Sequence, residues 1–173
     1  MALLRGINVG GKNRLPMKSL SALFTDAGCT DVQTYVQSGN VIFRATPSLA
    51  RRIPAAIQKA ISVQFGLTIP VVTCTAAELH DAAKNNPFLP KESDTGTLHV
   101  AFLAARPTPA KVGTLDPDRS PPDEFAVRGR EIYLRLPNGV ARSRLTNAYF
   151  DSRLGTTSTL RNWRTVLKLV ELT

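Results

Sequence analysis

The first sixteen residues constrain this chain more than any other stretch. Leu3, Leu4, Ile7 and Val9 suit a short buried strand, which Gly6, Gly10 and Gly11 interrupt before Pro16 marks the start of a helix. A strand that runs into a glycine-rich, basic turn and then a helix is a junction where α/β-type folds hold anions. Gly6 through Lys12 satisfies G-x-x-x-x-G-K, the spacing of a phosphate-binding loop. The match fails where nucleotide chemistry needs it. Position 13 is Asn, where a hydroxyl should hold magnesium, and Pro16 delays the helix by about a turn. No apolar strand ends in the Asp that would organise the metal. The stretch therefore reads as a tight glycine turn with solvated cations, and ATP or GTP hydrolysis is not expected.

The remainder alternates between two periodicities. Met17, Leu20, Leu23, Phe24 and Ala27 recur at helical spacing. Residues 32–37 and 40–44 read as two strands joined by a two-residue turn at Ser38-Gly39. Leu49, Ile53, Ile57, Ile61 and Phe65 mark a second helix, which either starts near Ile53, with Pro54 in its first turn, or kinks there. Residues 68–73 read as a fourth strand, and Pro70 assigns it to a sheet edge because it cannot donate to a ladder. The order strand-helix-strand-strand-helix-strand is ferredoxin-like.

The second half repeats the topology without repeating the residues. A capping box at Thr75–Glu78 opens a short helix that ends at Asn86-Pro87. Residues 91–96 read as polar loop, 98–103 as a strand and 109–115 as a short helix. Residues 116–123 read as a surface loop with solvated acids, and 125–128 with 131–136 as a hairpin. Helices over 141–154 and 158–172 close the chain, the last standing where a fourth strand would complete the repeat. The expected architecture is α+β: two ferredoxin-like (βαββα-type) halves with antiparallel sheets and C-terminal helices, divided into residues 1–74 and 75–173.

The chain has 173 residues, and 22 Lys and Arg stand against 13 Asp and Glu, a net charge of +9. Such a field favours polyanions. The two cysteines, Cys29 and Cys74, give neither a disulfide framework nor a metal spacing. No apolar run is long enough to span a bilayer, and the strand beginning almost at Met1 leaves no room for a signal peptide. A cytoplasmic protein without membrane, metal or cofactor is expected. Its oligomeric state is left open.

Two groups of residues are candidates for binding. Arg5, Lys12 and Arg14 at the N-terminal turn, with Arg142, Arg144, Arg161, Arg164 and Lys168 near the C-terminus, could neutralise phosphates without reading sequence. Arg161, Arg164 and Lys168 are expected on one face of the last helix, and Leu160, Trp163, Leu167 and Val170 on its apolar face. The second group is a small anion site, formed if the turn at 37–40 meets the 6–13 loop: Asn8, Gly10, Gly11, Lys12, Gln37, Ser38 and Asn40. His80 and His99 assemble no catalytic constellation, so no catalytic residue is assigned.

Several of these stretches resemble one family. Residues 3–13, Tyr35-Val36-Gln37-Ser38-Gly39-Asn40-Val41-Ile42-Phe43, Asn86-Pro87-Phe88, Ile132-Tyr133-Leu134, Ser143-Arg144-Leu145 and Arg161-Asn162-Trp163-Arg164-Thr165-Val166 are similar to signatures of the bacterial domain of unknown function 1697. Members usually carry a few residues ahead of the first strand, which leaves the pairing of that strand's first residues open. The resemblance implies a two-part α+β protein with ferredoxin-like elements and no established activity, nucleic-acid binding having been suggested for members. The leading expectation is non-catalytic binding of nucleic acid or another polyanion. The alternatives are an enzyme or sensor with a small phosphorylated ligand at residues 6–13, and a homo-oligomeric module using a sheet edge.

Overall fold

The strand β1, Ala2–Leu4, is the axis of the N-terminal half: all three residues are fully buried, and it pairs on both sides. Ala2 lies opposite Val41 on one side and Thr73 on the other, so pairing begins at the strand's first residue. The computed structural model describes residues 1–92 and 94–173, and they pack as two units, residues 1–75 with Thr173 and residues 76–172. Of the polar loop expected at 91–96, Ser93 lies outside the described residues.

In the first unit, α1 (Met17–Asp26), β2 (Thr30–Tyr35), β3 (Asn40–Arg44), α2 (Pro47–Phe65) and β4 (Val71–Thr73) follow β1. The antiparallel sheet has the order β2-β3-β1-β4, which is ferredoxin-like. Leu20 and Phe24 of α1 and Ile53, Ile57 and Ile61 of α2 bury their apolar stripes in one core with Ala2 and Leu4. The second helix starts earlier than the spacing predicts. Thr46 caps it by accepting from Leu49 N, Pro47 occupies its first position, and Pro54 lies well inside. β4 is an edge strand as expected, but it starts at Val71, three residues later than the expected start at 68, so Pro70 lies just outside it and its carbonyl accepts from Arg5 N at 3.0 Å.

The second unit contains α3 (Ala76–Lys84), β5 (Leu98–Leu103), α4 (Pro109–Val112), β6 (Glu124–Arg128), β7 (Glu131–Arg135), α5 (Asn147–Leu154), β8 (Ser158–Asn162) and α6 (Trp163–Glu171). Its antiparallel sheet, β6-β7-β5-β8, repeats the order of the first. The helix predicted over 158–172 is instead a strand followed by a shorter helix. Residues 158–162 complete the sheet as its fourth strand, Ser158 pairing with Leu103 and Asn162 with His99. Asn162 Oδ1 then accepts from Thr165 N at 2.8 Å, and this cap starts the helix only at Trp163. The apolar face shifts accordingly to Trp163, Val166 and Leu169, while Leu167 is 43% exposed.

Two further expectations fail for local reasons. α5 begins at Asn147 rather than Ala141, because Thr146 caps it at Tyr149 N. The 116–123 loop is not uniformly solvated. Asp123 is buried and accepts from Ser120 Oγ at 2.7 Å, Ser120 Oγ accepts from Arg144 N at 3.0 Å, and the Arg119 guanidinium lies 4.0 Å from the centre of the Tyr149 ring. No helix among the described residues is long and apolar enough to cross a membrane.

Candidate functional site

The glycine-rich loop is a miniature hairpin rather than a cradle. Lys12 N donates to Val9 O at 3.0 Å and Asn8 N to Asn13 O at 3.2 Å, with Gly10 and Gly11 at the tip. Both glycines have positive φ, as a two-residue type I′ tip demands. α1 starts five positions beyond Lys12, so its N-terminal amides do not stand behind the glycines.

This hairpin meets the β2–β3 loop, the convergence on which the small-ligand expectation depended. Asn8 is the staple. Its Nδ2 donates to Leu15 O at 2.9 Å and Gln37 O at 3.0 Å, and its Oδ1 accepts from Leu15 N at 2.8 Å. Leu4 N reaches Gly39 O at 2.8 Å, and a Cβ on Gly39 would stand 2.7 Å from Leu4 Cβ, so only glycine allows this approach. The β2–β3 connection has four residues, Val36 to Gly39, rather than two, and Val36 adopts φ 48°.

The convergence sorts the expected residues. A cleft of about 300 Å³ is lined by Asn8, Gly11, Arg14, Leu15, Pro16 and Gln37. Gly10, Lys12, Ser38 and Asn40 do not line it. Asn40 is fully buried, its Nδ2 donating to Tyr35 O and Ser38 Oγ at 3.1 Å each, and Asn8 spends its amide on backbone. Arg14 and Gln37 are therefore the lining side chains left to meet a ligand. The Lys12 side chain is exposed on the hairpin, and Arg5 is half-buried at the end of β1.

The C-terminal cations do not form one helix face. Arg161 lies on β8, is 7% exposed, and donates through Nη1 to Thr159 Oγ1 at 2.9 Å and Leu160 O at 2.8 Å. Lys168 Nζ lies 2.7 Å from Glu171 Oε2. Arg164, Arg142 and Arg144 are exposed. His99 is buried with Nδ1 3.1 Å from Thr97 O, and burial lowers its pKa. Cys29 and Cys74 are buried thiols, and burial raises that of Cys29.

A second cleft, of about 520 Å³, to which no motif in the sequence points, lies between α3 and the tip of the β6–β7 hairpin. Glu78, Asp81 and Asn85, three and four apart on α3 and its C-terminal end, share one face, and that spacing was its only signal.

A family model described as "Protein of unknown function (DUF1697)" matches residues 1–133. Among solved structures, the chain is similar to the conserved bacterial protein SP0830 from Streptococcus pneumoniae, with 20% identity and a TM-score of 0.66 over 98% of this chain and 95% of that one. This likeness concerns the fold. No curated protein matches.

Proposed function

The chain belongs to the DUF1697 family of proteins of unknown function, and for this member we propose non-catalytic binding of nucleic acid, or another polyanion, through phosphate contacts centred on its N-terminal half. The observation that carries this reading is a charge imbalance. Residues 1–75 hold eight Lys or Arg against two acids, Asp26 and Asp31, and Asp31 already pairs with Arg44 at 3.0 Å. Lys12, Arg14, Lys18, Arg51, Arg52 and Lys59 are exposed and form no ion pair among the described residues. Uncompensated cations of this kind release counterions on meeting phosphates, which gives affinity without sequence selectivity.

A second reading, a small phosphorylated ligand at the Gly6–Asn13 loop, is supported by Arg14 and Gln37 lining one cleft. Fluorescence anisotropy with a duplex of arbitrary sequence separates the two. Polyanion binding predicts affinity that falls by one or more orders of magnitude between about 50 and 200 mM salt, equal for unrelated sequences. No binding at the lower salt overturns it. Saturable binding of a mononucleotide that Arg14→Ala abolishes, with no binding of duplex, selects the second reading.

A further inference from the structure

The cleft between α3 and the β6–β7 hairpin lies within the C-terminal half and does not depend on the polyanion reading. Its walls are tied together at both ends. Arg130 Nη2 stands 3.5 Å from Glu78 Oε1 in the first turn of α3, and Arg128 Nη1 donates at 3.0 Å to the carbonyl of Asn85, just past the end of that helix. Between the ties, Asp81 from α3 and Glu131 from β7 line the same space. Tyr133, two residues along β7 and so on the same strand face as Glu131, lines it while almost fully buried, and Arg106 joins from the segment after β5.

The lining carries both signs, three carboxylates and three guanidiniums. Glu131 Oε2 accepts from Arg130 N at 3.2 Å and is half-buried. Burial holds its carboxyl above the ordinary range, with Glu78 and Asp81 adding to the effect and Arg130 opposing it. With Arg130 and Glu78 engaged with each other, Arg106, Arg128, Asp81 and Glu131 remain in the lining, Arg128 and Glu131 side by side as partners on paired strands. A net anion entering it meets three carboxylates, and a net cation meets three guanidiniums. Among the described residues no group of three His, Cys, Asp or Glu is placed to hold a metal ion. The complement of such a lining is a small molecule with both signs on adjacent atoms.

We propose that this cleft binds a zwitterion of the α-amino-acid type, its ammonium against Asp81 and Glu131 and its carboxylate against Arg106 and Arg128. The two ties hold the walls in place before a ligand arrives, which lowers the ordering cost of binding. Guanidinium–carboxylate contacts of the bidentate kind supply direction as well as energy. The volume exceeds that of a single amino acid, so a dipeptide also fits this description.

The test is an NMR titration of the full chain, following the backbone amides of Asn85 and Gly129. The probes are L-leucine, N-acetyl-L-leucine, which lacks the ammonium, and L-leucinamide, which lacks the carboxylate. Leucine is expected to move both resonances saturably at concentrations up to ~10 mM, and each blocked form to bind at least ~10-fold more weakly through loss of one charge-assisted contact. Arg106→Gln and Asp81→Asn change exposed side chains, so melting should be unaltered while leucine affinity falls by about tenfold in each. Absence of saturable shifts with leucine overturns the proposal. So does equal binding by either blocked form, or unchanged affinity in either variant. The comparison of probes uses the unmodified protein and stands whatever the variants do.

Discussion

Residues 1–75 carry eight Lys or Arg against two acids, and residues 76–173 fourteen against eleven, although both halves fold on the same sheet order. The C-terminal half works several of its arginines into the structure, though Arg142, Arg144 and Arg164 stay exposed. Arg135 reaches Glu92 at 2.6 Å and Glu124 at 2.9 Å, Arg161 is buried against Thr159, and Arg119 covers Tyr149. The bond to Arg135 in turn holds the Glu92 carboxyl below the ordinary range. In the N-terminal half Arg44 pairs with Asp31, exposed on both sides and worth little to stability. Where acids and acceptors lie within reach, an arginine becomes part of the fold. Where they do not, its charge stays exposed to solvent. Net charge alone cannot distinguish the two fates.

The largest effect that would sharpen this contrast concerns how the N-terminal half supports its exposed loops. Gly39→Ala sets a Cβ 2.7 Å from Leu4 Cβ at φ +78°, and should cost about 2–4 kcal/mol in urea unfolding. A loss below ~0.5 kcal/mol, the range of ordinary surface changes, would mean the loop yields and the two loops are not rigidly joined. Next come two arginines three residues apart. Arg161→Ala removes a buried, bonded guanidinium and should cost about 1–3 kcal/mol, whereas Arg164→Ala, exposed on α6, should stay within ~0.5 kcal/mol. Equal costs in thermal melting would erase the distinction between structural and free cations.

A further stability effect has the opposite sign. Val36 is half exposed at φ 48°, where a β-branched side chain is strained, so Val36→Gly should stabilise by about 1 kcal/mol. Chemical denaturation measures it, and a destabilised variant would contradict the strain.

Much of the fold was legible in the apolar pattern. The buried run at Leu3-Leu4, the strand from Asn40, the helix stripe of Ile53, Ile57 and Ile61, and Pro70 marking the sheet edge all correspond to observed elements. The C-terminus was misread because Leu160 and Trp163 are three apart, which mimics a helix, while the signal that decides the matter is the Asn162 cap. Counting the helix from 158 instead of 163 rotates its face and places Leu167 inside and Arg161 outside, the reverse of what occurs. Asn8 was legible as polar, but not as a staple, because its bond to Gln37 spans 29 residues. Asp123 read as a solvated loop acid because nothing local predicts that Ser120 bonds both it and Arg144 N.

The central claim is that the free cations of the N-terminal half do the binding, and the salt dependence of duplex affinity tests it most directly. Affinity is measured across a salt series for the unmodified chain, for Lys12→Ala with Arg14→Ala, and for Arg142→Ala with Arg144→Ala. Each phosphate contact adds roughly 0.9 to the slope of log affinity against log salt, so losing the N-terminal pair should flatten it by about two and losing the C-terminal pair by less than about one. An unchanged slope in the N-terminal variant, or an equal loss in the C-terminal one, would contradict the account.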